Sequence, residues 1–153
     1  DLLSWTLWNT WNQEHKGAQP PKAEAFLSKH FNPLDMKGET TIIDVADPDP
    51  QNFTIRFRHE TTYGRLGQEL VDRRICDYPC QLHARAAMTE YLITRETRQP
   101  ICHEIDQAML GISRRYRRIV LPLTGSGKSV TQLLVCSRSL RPAIELPKTV
   151  RAI

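Results

Sequence analysis

No stretch of this sequence approaches the roughly 18 consecutive apolar residues of a membrane-spanning helix, so no membrane partner is expected. No signal-peptide pattern is visible. Cysteine is scarce: four in 153 residues, at Cys76, Cys80, Cys102 and Cys136. That number and scatter do not match a small secreted disulfide scaffold, and a cytoplasmic location is expected. The CxxC spacing is missing too. Cys76 and Cys80 flank Asp77-Tyr78-Pro79, and His83 follows three residues on. Covalent haem would want the histidine directly after the second cysteine, so haem stays a minor expectation and no metal site is assigned. Buried free thiols are the plainer reading. Nor does any nucleophile lie at recognisable spacing from a base, or any carboxylate pair stand ready for acid–base work, so no enzymatic activity is expected. Charge of one sign is also in short supply: the formal net charge is +4. Nucleic-acid binding would need Lys and Arg gathered on one face. The densest cluster, Arg114-Arg115-Tyr116-Arg117-Arg118, alternates between faces at strand spacing and reads as a solvated strand end. No nucleic-acid partner is expected.

What is present suits one soluble domain with an adequate core: 40% hydrophobic and 25% charged residues. The chain is organised around two apolar runs, 119–123 and 130–136, joined by Thr124-Gly125-Ser126-Gly127-Lys128-Ser129. Short β-rich runs joined by a glycine-containing loop predict a hairpin. Gly127-Lys128-Ser129 mimics the end of a phosphate-binding loop. That motif needs glycine five positions before Gly127, where Pro122 stands, and a helix afterwards, where a Leu- and Val-rich run stands.

From the start, residues 2–15 form a predicted helix in which Leu3, Leu7, Trp8 and Trp11 share a face. The face can cover its own domain or, as a large apolar patch, pack on a second copy. Gly17 and Pro20-Pro21 end the helix and stiffen the connection. A short helix is predicted over 22–31 and one more turn over 33–38. Strands follow at 40–46 and 52–60. In the second, Phe53, Ile55, Phe57 and His59 alternate with Thr54, Arg56 and Arg58, so the aromatics are expected inward. Glycines break 61–79 into short helical turns. A longer helix is predicted over 80–97, with Cys80, Ala84, Ala87, Met88 and Tyr91 as its core stripe and His83 on the border. A third strand, 101–110, precedes the hairpin. After Cys136 a polar tail is expected to lie extended.

This order, with Trp11, Pro20-Pro21, Asn32-Pro33-Leu34, Phe57-Arg58-His59, Tyr63-Gly64-Arg65-Leu66-Gly67-Gln68-Glu69-Leu70 and Ile119-Val120-Leu121-Pro122-Leu123, resembles the PAS sensor-domain superfamily, and most of all its small bacterial single-domain branch. The resemblance implies an α+β fold: a five-stranded antiparallel sheet with helices on one face and the N-terminal helix packed outside the core. Three parts are implied, namely helix 1–19, sensor domain 20–138 and tail 139–153. It also implies a regulatory module that binds a small ligand or a protein and signals through a separate partner, and a homodimer through the N-terminal helix. The alternative is a ligand-free dimerisation or interaction domain. The flavin-photosensor branch has an Asn-Cys-Arg-Phe-Leu-Gln segment where this chain has Ile75-Cys76-Asp77-Tyr78-Pro79-Cys80, so flavin is not expected. A pocket between the long helix and the sheet would have walls from Phe53, Ile55, Phe57, Ala84, Ala87, Tyr91, Ile119, Leu121, Leu133 and Val135. His59, Tyr63, His83 and His103 would supply its polar groups. The interface would use Leu3, Leu7, Trp8 and Trp11.

Overall fold

The computed structural model describes residues 2–15, 17, 19–30, 39–58, 70–109, 111–142 and 144–145. Helices α1 (Leu2–Glu14) and α2 (Ala23–His30) precede strands β1 (Glu39–Asp44) and β2 (Thr54–Arg58). Helix α3 (Gln81–Thr97) leads to β3 (Ile101–Met109), β4 (Ile112–Thr124), β5 (Val130–Ser139) and the two-residue β6 (Ile144–Glu145). All paired strands run antiparallel in the order β2-β1-β5-β4-β3, with β6 beside the start of β4. The turn expected over 33–38 and residues 61–69 of the broken stretch 61–79 lie outside the described residues; the described part, 70–79, includes a 3-10 turn at Ile75–Asp77.

The hairpin is longer than its apolar runs. β4 already begins at Ile112, so the arginine cluster is strand. Gly125 is demanded by space, because a Cβ there would stand 2.9 Å from Thr131 Oγ1. Gly127-Lys128-Ser129 sits in the turn, and β5 follows rather than a helix.

The sheet buries both faces. Under α3 lie Ile43, Val45, Phe53, Ile55, Val120, Leu133 and Val135, met by Ala84, Ala87 and Tyr91. On the opposite face Ile42, Ile119, Leu121, Leu123, Leu134 and Cys136 are covered by Leu7 and Trp11 of α1 and Ala23 and Phe26 of α2. Ile119 and Leu121 therefore do not floor the space under α3, as strand parity in the sequence suggested. Val135 pairs with Val120, while Ile119 and Leu121 pair with Cys136 and Leu134. A strand buried on both faces is one continuous apolar run, so it carries no alternation from which parity can be read. Phe57 is displaced for another reason. The β1–β2 register shifts between Ile42 and Ile43, which pair with Phe57 and Ile55. Arg56 is the extra residue of a bulge, and the side-chain alternation flips across it. Ile55 stays under α3 and Phe57 packs with the α1 layer.

Leu7 and Trp11 are 0% and 2% exposed, and burying side chains of this size is worth about 1.5–3 kcal/mol each. The Trp11 indole N–H donates to the Pro122 carbonyl at 2.8 Å. Glu14 accepts from Lys29 and pairs with His30, tying α1 to α2. Pro20 and Pro21 are buried, and the Thr124 N–H donates to the Pro21 carbonyl. Leu7 and Trp11, with half-buried Leu3, are thus engaged within the chain and cannot form the expected face toward a second copy. The apolar side chains that α1 presents to solvent are Leu2, Trp5 and Trp8, at 79%, 60% and 44% exposure.

Candidate functional site

Helix α3 turns one stripe, Ala84, Ala87, Tyr91 and Thr94, onto the sheet. Its C-terminal end is latched by Arg95, whose guanidinium donates to the carbonyls of Val45, Asp47 and Pro48. So anchored over β1 and β5, the helix leaves an open groove of about 810 Å³ between its outer flank and strands β3 and β4. Leu82 and Ile93 of the helix and Ile101 and Ile105 of β3 form apolar walls. Glu90, Gln107, Tyr116 and Arg118 form a polar floor, with His83, Arg85 and His103 around it.

The floor is one connected chain. Arg118 Nη1 donates to Glu90 Oε2, and both side chains are buried, at 7% and 8% exposure. Arg118 Nη2 donates to the Tyr116 hydroxyl at 2.9 Å, which donates to Gln107 Oε1 at 2.8 Å. His83 shares a hydrogen bond with Gln107 and stacks on Tyr78 with centroids 5.5 Å apart and planes 8° apart. At the other end His103 Nδ1 lies 3.0 Å from Glu90 Oε1. That approach is off the line of a hydrogen bond, so among the described groups the buried Oε1 has no donor. Burial, then the fields of Arg118, Arg58 and Arg114, lowers the His83 pKa to about 4. His83 is therefore neutral at pH 7, and beside the Arg118–Glu90 pair the described lining carries the guanidinium of Arg85. Glu90 is the one carboxylate among the described lining residues, and it is already paired.

Of the residues singled out in the sequence, His83 and His103 come together in this groove. Phe53, Ile55, Ala84, Ala87, Tyr91, Leu133 and Val135 close into the packed layer under α3 and do not line it. Ile119, Leu121 and Phe57 lie on the opposite face, and His59 and Tyr63 lie outside the described residues. Sequence reasoning missed Glu90, Gln107, Tyr116 and Arg118. One signal was available: Tyr116, Arg118 and Val120 share strand parity, so a β4 extended back through the arginines turns Arg118 inward with Val120.

Cys76 Sγ donates to the Gln51 carbonyl and lies outside the groove lining, so it does not fit the photochemical cysteine of a flavin sensor. The His83 ring is held flat on Tyr78 and bonded to Gln107, a poor presentation for a haem ligand. Among the described residues no group of three or more His, Cys, Asp or Glu side chains could hold a metal ion.

The strand order, the α3 crossover between β2 and β3, and the helix-flanked sheet match the fold of PAS domains. No protein-family model matches the sequence, nor does any curated protein. Solved structures do match. The PAS domain from Bordetella pertussis BvgS aligns with TM-score 0.54 at 14% identity, over 69% of this chain and 78% of its own. A sensory box sensor histidine kinase from Vibrio cholerae gives 0.53 at 11%, over 78% and 94%. A fungal LOV-domain photoreceptor gives 0.52 at 17%, over 92% of each chain. At these identities the likeness concerns the fold. No helix among the described residues is long and apolar enough to cross a membrane.

Proposed function

We propose that the chain is a sensory module, binding rather than catalytic, which takes a small organic anion into the α3–β3 groove and signals through a separate output protein. One observation carries this: a buried Arg118–Glu90 pair, extended by Tyr116, Gln107, His83 and His103, lies under an open groove to which Arg85 adds a further cation. A buried ion pair is weak as a stabilising device, because desolvation offsets most of its attraction. Its placement beneath an apolar-walled groove suits ligand recognition instead. The fold is shared with a sensor histidine kinase and with LOV photoreceptors, which supports sensing as the role. The output protein is assigned to the exposed Leu2–Trp5–Trp8 face of α1, because large exposed apolar patches mark contact sites. A second reading, a homodimer through that same face, rests on the same three residues.

The test is to purify the protein from its native host, record its absorption spectrum and identify by mass spectrometry what is released on denaturation. A bound organic anion, lost from the Glu90→Leu/Arg118→Met protein, is the expected result. A flavin or Soret spectrum would replace the anion with a cofactor. An empty protein that no anion in a metabolite panel stabilises against heat would leave the interaction domain as the function.

A further inference from the structure

The two oxygens of the Glu90 carboxylate are used unequally. The side chain is 8% exposed, and Oε2 accepts from Arg118 Nη1. Oε1 is buried in the groove floor, and among the described groups no donor reaches it. A buried acceptor without a donor costs free energy, so folded proteins keep few of them, and such an atom calls for a reason. Distance is not the reason here. His103 Nδ1 stands 3.0 Å from Oε1 but off the hydrogen-bond line, and the His103 side chain is 53% exposed, so its ring can swing toward solvent and yield the place to a better donor. Charge points the same way. Arg118 and Glu90 compensate each other, and breaking a buried pair by removing one partner is strongly unfavourable. A ligand that offers only a carboxylate draws on Arg118 and strands Glu90. A ligand that brings a cation as well keeps both buried charges compensated.

We infer, resting on the reading of this groove as an anion site, that its ligand also carries a protonated amine: it is an α-amino acid with an apolar side chain, its ammonium on Glu90 Oε1 and its carboxylate on Arg118. An ammonium carries several N–H donors and no acceptor, and an ionised carboxylate is its strongest partner. The spacing selects the α-amino arrangement. Oε1 shares one carbon with the Oε2 that Arg118 holds, so the acceptor for the amine and the donor for the acid stand side by side. A molecule with its two charges far apart reaches only one of them. Bound head to tail over the pair, the amino acid makes four charges that alternate in sign, and Arg85 at the groove is a second donor for its carboxylate. The rest of the ligand meets Leu82, Ile93, Ile101 and Ile105, which asks for an apolar side chain. Leu82 and Ile93 are 80% and 47% exposed, and such a side chain would cover them. Discrimination follows from burial. A site built around buried polar groups rejects an analogue that leaves one of them unpaired far more strongly than an apolar pocket rejects a missing methylene.

The experiment is calorimetric titration of the full chain with leucine and with phenylalanine, each beside its deaminated acid and its decarboxylated amine, which keep the same side chain. At least one of the two amino acids is expected to bind about tenfold or more tighter than both of its halves. Glu90→Gln keeps an oxygen for Arg118 and removes the charge that holds the ammonium, so the preference for amino acid over acid is expected to fall to about twofold or less. An acid that binds wild type as tightly as its amino acid overturns the inference and leaves the anion site standing. An amine that binds as tightly as its amino acid overturns both. If neither amino acid binds, the inference falls, while the anion site is judged by the released ligand and the metabolite panel. A folded Glu90→Gln protein with an undiminished preference overturns Glu90 as the partner of the ammonium. Its folding is checked by circular dichroism; if it fails to fold, the comparison of amino acid with acid on the wild type decides.

Discussion

The Arg118–Glu90 pair makes the sharpest prediction, because its members are nearly inaccessible and come from different elements. Replacing Glu90 by Ala leaves a buried guanidinium whose remaining hydrogen-bond partner among the described residues is the Tyr116 hydroxyl, and an uncompensated buried charge costs about 3–5 kcal/mol. A domain of this kind has only about 5–15 kcal/mol in total. At 2–4 °C per kcal/mol for a chain of this size, the melting point should fall on the order of 10 °C. Arg118→Met should fall toward the lower end, since His103 Nδ1 remains 3.0 Å from the stranded carboxylate. The double variant Glu90→Leu/Arg118→Met behaves differently. It removes both charges and fills the space with apolar groups, and Tyr116 keeps Gln107 as its acceptor, so no donor is orphaned. Its stability should lie within about 1 kcal/mol of wild type. Urea denaturation followed by far-ultraviolet circular dichroism gives all four corners of the cycle. A double variant as unstable as the sum of the singles would refute the reasoning, because the two side chains would then act independently rather than as a coupled pair.

Three further outcomes follow from local geometry. Trp11→Phe removes the indole donor and leaves the Pro122 carbonyl unpaired under α1, and should cost about 2–4 kcal/mol in urea; a loss below about 1 kcal/mol would show that α1 is not held there. His83 has a folded pKa of about 4 against an ordinary 6.5, so the unfolded chain binds its proton first. The stability it contributes is complete above pH 6.5 and is lost as pH falls toward 4. Discounted for partial exposure, the loss is about 2 kcal/mol, and His83→Gln should remove that part of the pH–stability slope. Gly125→Ala brings a methyl against Thr131 Oγ1 and should cost about 1 kcal/mol, an effect that Thr131→Ala relieves; an undiminished cost in the pair would locate the strain elsewhere.

How much was legible in the sequence depended on whether a residue's neighbours were local. The stripe Ala84–Ala87–Tyr91 and the β4–β5 hairpin could be read because helical spacing and turn glycines are properties of a few adjacent residues. The face assignment of Ile119 and Leu121 could not. When α1 covers one side of β4 and α3 the other, burial no longer alternates along the strand. Phe57 went astray through a single inserted residue, Arg56, whose effect exists only in the pairing with β1. Arg118 looked like one arginine among four on a wet strand end, and only Glu90, 28 positions earlier, marks it as the buried one.

β4 carries both the groove and the anchor of α1, and this makes communication between them measurable. Arg118 and Val120 face α3, Pro122 accepts the Trp11 indole N–H, and Ile119 and Leu121 lie under α1 and α2. From Arg118 to Pro122 is four residues, about 13 Å of strand. A ligand that draws Arg118 off Glu90 changes how firmly this strand is held from one side, and the Trp11–Pro122 bond registers it on the other. The Glu90→Leu/Arg118→Met protein removes the polar hold without unfolding the sheet, so it imitates that event. Exchange of the Trp11 indole proton, followed by NMR, should quicken about tenfold in this variant, which corresponds to about 1.4 kcal/mol lost at the anchor. Unchanged exchange would mean that α1 is blind to the groove. The output signal would then have to leave by a surface other than α1.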